Sequence, residues 1–199
     1  MMHTKFKAAM LIVVASMAPA AAWEGGSDVR NCNWCHGTSS QGYSVAPRLA
    51  GQLPASVLEQ VRDLHAHLRD NPFSKQYMWG AAGSLDSRAA RDLAAYYARI
   101  QPKPANDGNP NLVSRGRAIY MQGIPEANIA ACYACHGPEG AGIGKISRLG
   151  GLSYSYVKTQ LEQWGQGYHA GIGTPMPAVA RELGPNEIEA LASYLSFVK

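Results

Sequence analysis

The chain has 199 residues, 46% of them apolar, with 18 Lys and Arg against 14 Asp and Glu for a formal charge of +4. That length suits one or two small domains, and the apolar share is that of a globular protein. The charge is sparse and forms no concentrated basic patch, so nothing points to nucleic acid.

Residues 1–22 read as a secretory signal peptide. Lys5 and Lys7 precede an apolar run from Ala8 to Val14, and small residues follow at Ala18-Pro19-Ala20-Ala21-Ala22. Cleavage after Ala20 or Ala22 fits equally well. The competing reading, an uncleaved membrane anchor, meets a run that is short for a bilayer and broken by Ser16 and Pro19. No cysteine lies near the cleavage region, so a lipoprotein anchor is not indicated. Removal leaves 16 basic against 14 acidic residues. The expected location is the periplasm.

The first chemical motif is Cys32-Asn33-Trp34-Cys35-His36, and Cys132-Tyr133-Ala134-Cys135-His136 repeats its form. Four cysteines in an exported chain first suggest disulfides. Two thiols about one helical turn apart, followed at once by an imidazole, are instead the sequence form of haem c attachment. Each thiol adds to a haem vinyl group, and the histidine falls under the ring to bind iron. A thioredoxin-like pair has no need of that histidine. A shared zinc site would need the pairs close together, yet 97 positions separate Cys35 from Cys132. Disulfides within Cys-x-x-Cys would be strained. Two covalently attached haem c groups are expected.

Further along, Pro54 opens a helix predicted from about Ala55 to Leu68. Met78 is placed in a loop before a closing helix on which Leu93, Tyr97 and Ile100 share a face. Residues 102–111 are rich in Pro, Gly and Asn and read as a linker of restricted flexibility. Val113 to Gln122 is predicted as the helix leading into the second Cys motif, with Met121 as packing filler. Gly140, Gly142 and Gly144 lack the strand-to-helix context of a phosphate site and suit a tight loop at a haem edge. Met176 stands in a loop framed by Pro175 and Pro177. Pro185 starts the last helix, with Ile188, Leu191, Leu195 and Val198 on one face. No stretch alternates with period two, so the fold is expected to be all-α.

The chain is one unit written twice. At an offset of 100, Cys32, Cys35, His36, Arg48, Leu49, Gly51, Val57 and Gln60 meet identical residues. Two residues are then lost. At an offset of 98, Met78 meets Met176, Leu85 meets Leu183, Leu93 meets Leu191 and Tyr96 meets Tyr194. Boundaries at 23–101 and 112–199 give halves small for independent cores, which a covalent haem would fill. The recurrence also selects axial ligands. His36 with Met78 and His136 with Met176 repeat in register, whereas His65, His67 and His169 do not and are read as surface residues.

On these motifs, together with Pro47-Arg48-Leu49-Ala50-Gly51-Gln52, nearly the whole mature chain resembles dihaem class I cytochromes c of the cytochrome c-four type. It also resembles the cytochrome subunit of flavocytochrome c sulfide dehydrogenases. The resemblance implies two tandem cytochrome c domains, periplasmic electron transfer and haems close across a domain interface. It implies that the Pro47 carbonyl accepts from the proximal His36. Ser147 replaces that proline in the second half, and Leu152 stands where Gln52 does. Arg48 and Arg148 are candidates for haem propionates. Trp34, Trp79 and Trp164 are expected to pack against porphyrin.

With both irons six-coordinate no substrate position is left, so an electron carrier without catalytic residues is expected. Its partners would be redox proteins, an electron donor and a terminal oxidase or reductase, with peripheral contact to membrane complexes. The alternatives are a dedicated electron-accepting subunit of a dehydrogenase such as a flavocytochrome c sulfide dehydrogenase, and a dihaem peroxidase or thiosulfate oxidiser.

Overall fold

A computed structural model describes residues 26–199, so the expected signal peptide at 1–22 lies outside the described residues. Helices α1 (Gly26–His36), α2 (Pro54–His65), α3 (Trp79–Gly83) and α4 (Ser87–Ala98) make the first half. The second half holds α5 (Val113–Gln122), α6 (Tyr133–His136), α7 (Tyr154–Gly165), α8 (Met176–Arg181) and α9 (Pro185–Phe197). Among the described residues there is no strand, only two isolated bridges, Ile124 to Ile129 and Ile143 to Ile146. The all-α expectation holds.

Local chemistry accounts for the helix ends. Pro54 and Pro185 occupy first-turn positions, where a missing N–H breaks no bond. The Asp86 carboxylate caps α4 by accepting from the Arg88 and Ala89 N–H groups, each at 2.8 Å. Helix α2 stops at His65, three residues short of the predicted end. His67 turns into the left-handed region at φ 58°, and the Leu68 N–H donates back to the Asp63 carbonyl at 2.8 Å. The same closure ends α7, where Gly167 takes φ 92° and the Tyr168 N–H donates to the Gln163 carbonyl at 3.0 Å. Histidine at a position that favours glycine is why the first of these stops was illegible.

The duplication survives at the level of single hydrogen bonds. Gly42 N–H donates to the His36 carbonyl at 2.9 Å, and Gly142 N–H to that of His136 at 2.8 Å. Gly51 N–H donates to the Tyr97 carbonyl and Gly151 N–H to the Leu195 carbonyl. Those last acceptors are 98 apart while the donors are 100 apart, as the two-residue deletion requires. Gly140, Gly142 and Gly144 all take positive φ, as the tight-loop reading expects.

The cores differ in size. In the second half Ile119, Tyr120, Leu152, Val157, Ile188, Leu191, Leu195 and Val198 are buried together, with Met121 packed at the margin as filler. Val29, Leu93 and Tyr97 form a smaller core in the first half, flanked by Leu49, Leu85 and Ile100. Residues 102–111 are strapped down on both sides. Gln41 and Lys103 bond through a side-chain amide, Asn106 N–H donates to the Ser196 carbonyl, and Asp107 accepts from Ser153 and Tyr154.

Helices α5 and α9 meet at Gly116, where an added Cβ would lie 1.9 Å from the Ala190 carbonyl oxygen. Gly116→Val is expected to destabilise the protein by roughly 3 kcal/mol, the upper end of overpacking penalties. Gly83→Ala, where an added Cβ meets nothing within 4 Å, should change it by less than about 0.5 kcal/mol. Urea unfolding of both variants checks the contrast.

Candidate haem centres

Each Cys-x-x-Cys-His segment ends a helix, α1 or α6, so both thiols and the imidazole leave the chain within about one turn. The residue after each histidine is a glycine with positive φ, Gly37 at 88° and Gly137 at 74°, which lets the chain reverse immediately. None of the four cysteines is in a disulfide; Cys35 and Cys135 are exposed, Cys32 and Cys132 half-buried. Burial raises the Cys32 thiol and pushes that of Cys132 up to about 11.

The reversed chain returns under the imidazole. His36 Nδ1 bonds the Pro47 carbonyl at 2.7 Å, and His136 Nδ1 bonds the Ser147 carbonyl at 3.1 Å, each acceptor eleven positions downstream. Burial lowers both histidines, with the carbonyl bond acting in the opposite sense. A neutral imidazole donating from Nδ1 keeps its Nε2 lone pair for a metal. Two free thiols, an adjacent imidazole and an orienting carbonyl in each half are the donor set haem c requires.

The methionines are not in loops. Met78 ends a π-helical turn, Ser74–Met78, that runs straight into α3. The helical stretch of residues 72–83 is continuous, and Asn71 Oδ1 caps its start by accepting from the Ser74 N–H at 3.0 Å. Met176 is the first residue of α8, and Pro177 fits there because the first turn needs no N–H donor. The stretch holding Met78 contains Gly80 and Gly83, and α8 has only six residues, so neither shows a clear helical period in the sequence. Both methionines are half-buried.

A polar seam joins the halves. Arg48 is buried and its guanidinium donates to the Lys103 carbonyl at 2.9 Å, the Gly151 carbonyl at 2.8 Å and the Gly150 carbonyl. Burial and the facing Arg148 lower its pKa to about 10. The Gln52 amide pairs with the backbone of Arg148, and Ser56 Oγ meets Ser147 Oγ at 2.7 Å. Asn71 donates to Gln163 at 2.6 Å, and the Arg69 guanidinium joins Gln60 to Gln160. Arg148 donates to the Lys199 carbonyl, and its Nε is buried without a partner.

One expectation changes here, that of His169, while Arg48 and two tryptophans take protein partners that the sequence did not show. Arg48 is committed to backbone carbonyls, which sequence cannot show because any residue supplies them. His169 is not a surface residue. It is 1% exposed, its Nδ1 accepts from the Asp70 N–H at 3.2 Å, and its own N–H donates to the Asp70 carboxylate at 2.7 Å. Those partners belong to the other half, so repetition within the chain gave no sign of them. Trp79 stacks on His67 at 3.9 Å and donates to the Arg69 carbonyl, while Trp164 sets its edge against His169 at 4.9 Å. Histidines are thus ring partners of both. Trp34 is 89% exposed.

Residues 113–199 match the Cytochrome c family. The chain is 34% identical to a cytochrome c4 of Thiocapsa roseopersicina, over 82% of this chain and 85% of that one. It is 30% identical to a thiosulfate dehydrogenase electron acceptor of Thiomonas intermedia, over 90% and 83% respectively. Among solved structures, a cytochrome c4 of Acidithiobacillus ferrooxidans superposes with a TM-score of 0.78 at 32% identity, covering 84% of this chain and 99% of that one.

His169 is held down to about 4 chiefly by burial and then by Arg69, against the pull of Asp70. Below the ordinary histidine value of about 6.5 the unfolded chain binds a proton that the folded chain refuses. Stability should therefore fall as pH drops from about 6.5 toward 4. His169→Gln should flatten that slope, read as the thermal midpoint against pH.

Proposed function

Because the chain belongs to the dihaem class I cytochromes c of the cytochrome c4 type, we propose that it relays electrons in the periplasm, with His36 and Met78 holding one iron and His136 and Met176 the other. It is an electron-transfer cytochrome and not an enzyme, and it carries two covalently attached haem c groups, which supply the one-electron chemistry. Cys32 with Cys35, and Cys132 with Cys135, are the proposed thioether attachments. The proposed units are residues 23–101 and 112–199, joined by 102–111 and exported through a signal peptide at 1–22.

The observation that carries the ligand assignment is the paired bond from His36 Nδ1 to the Pro47 carbonyl and from His136 Nδ1 to the Ser147 carbonyl. Such a bond fixes the ring orientation and raises the basicity of the remaining nitrogen. Met78 and Met176 as second ligands would leave no coordination position for a substrate, which suits a carrier. The seam would hold the two haems in a constant relation, so an electron entering one half can pass to the other within the same chain.

The partners are redox proteins. The leading reading is a diffusing shuttle between a donor and a terminal oxidase or reductase, with peripheral contact to membrane complexes. A second reading, the dedicated acceptor of one dehydrogenase, gains support from the similarity to a thiosulfate dehydrogenase electron acceptor; a flavocytochrome c sulfide dehydrogenase is a further candidate of that kind. Rapid reduction by one purified dehydrogenase, with co-purification, would favour the second reading, and indiscriminate exchange the first.

A pyridine haemochrome assay should count two haem c per chain, with a sulfur-to-ferric-iron band at strength for two sites. Met78→Ala and Met176→Ala should each remove about half of that band while the haem count stays at two, reflecting loss of one axial thioether. A wild-type protein with one high-spin site would overturn the assignment at that site.

A further inference from the structure

The two proximal carbonyls are held differently. In the first half the acceptor belongs to Pro47, whose ring restricts its own backbone. In the second half the acceptor belongs to Ser147, which has no such restriction. The peptide group joining Ser147 to Arg148 is gripped instead from the other half of the molecule. Its N–H donates to Gln52 Oε1 at 2.8 Å, while the Gln52 amide donates to the Arg148 carbonyl at 3.2 Å. The Ser147 hydroxyl meets the fully buried Ser56 at 2.7 Å. Leu53, next to Gln52, closes the contact, since an added Cβ on Gly142 would lie 2.9 Å from its Cδ1.

We propose that Gln52 and Ser56 of the first half are positioning residues for the proximal ligand of the second haem, Gln52 acting through the peptide group between Ser147 and Arg148 and Ser56 through the Ser147 side chain. The inference rests on the reading of His136 as that ligand. The hydrogen-bond chain is continuous: His136 Nδ1–H donates to the Ser147 carbonyl, and the N–H of the same peptide donates to Gln52. Hydrogen bonds in series polarise one another, so an acceptor on the N–H makes the carbonyl the better acceptor for the imidazole. A better acceptor makes the imidazole more basic toward iron, which favours the ferric state and lowers the potential. The arrangement is one-directional. Leu152 stands where Gln52 does in the repeat and offers no acceptor to the first half's Arg48 N–H.

The test uses the full-length holoprotein. The two midpoint potentials are measured by spectroelectrochemical titration, each haem assigned from its hyperfine-shifted proton resonances. Gln52→Leu, which copies the residue at position 152, is expected to raise the potential of the second haem and leave the first unmoved. The His136 Nδ1 proton should then exchange faster with solvent. Gln52→Glu keeps an acceptor on the Arg148 N–H and should hold the second potential at or below its original value. Ser56→Ala, a smaller perturbation should the Gln52 variants fail to fold, should shift the second haem in the same direction as Gln52→Leu by less. Unchanged potentials, or equal shifts at both haems, would overturn the proposal, the latter because a merely loosened seam affects both sites alike. Failure of the ligand reading itself would show earlier and differently, as a missing histidine–methionine signature at the second haem before any substitution.

Discussion

Everything in this fold is arranged around returning a carbonyl to an imidazole eleven residues earlier, twice. The helix that ends each Cys-x-x-Cys-His segment must stop at the histidine, so a glycine with positive φ follows it in both halves. The returning loop is braced by Gly42 and Gly142 donating to the histidine carbonyls, and by Ser40 and Gly140 carbonyls that each take two N–H bonds from the far strand of the loop. Once that loop is set, Arg48 or Arg148 follows immediately, and the next helix, α2 or α7, starts within a few residues. The contact between halves is built from these same loops and helices. The segments that orient the proposed iron ligands and those that join the halves are therefore largely one set of residues.

Duplication has not made the two halves equivalent. Arg48 crosses to the carbonyls of Gly150 and Gly151, whereas Arg148 turns to the Lys199 carbonyl of its own half. Gln52 reaches the opposite backbone, and Leu152 joins the core of its own half. Burial is lopsided in the same sense, with the larger apolar cluster in the second half and more of the bridging side chains supplied by the first. Each difference is small, yet together they distribute the tasks: one half packs, the other reaches.

Much of this was legible in the chain itself. Two Cys-x-x-Cys-His motifs, their offset of 100 and its change to 98 pointed to a repeated all-α unit, and the paired acceptors at Tyr97 and Leu195 follow that change residue by residue. Other features depended on partners that no local pattern reveals. His169 lies buried because Asp70 of the other half bonds it twice. Met78 and Met176 sit on short helical turns rather than loops because a cap from Asn71 and a first-turn proline suffice to start them. Helix α2 ends early on a left-handed His67, a conformation that composition assigns to glycine.

The chemistry of the seam carries a kinetic consequence. Apart from the ion pair of Lys145 with Glu59 at 3.1 Å and the contact of His169 with Asp70, the bonds across it join amides, hydroxyls, peptide carbonyls and guanidinium groups facing neutral acceptors. Dissolved salt screens exposed charges but leaves buried hydrogen bonds nearly untouched. The frame that would hold the two haems relative to one another is thus insulated from ionic strength, while encounter with an outside protein, governed by exposed charge, is not. Salt can then change how readily an outside protein docks without loosening the frame that joins the halves.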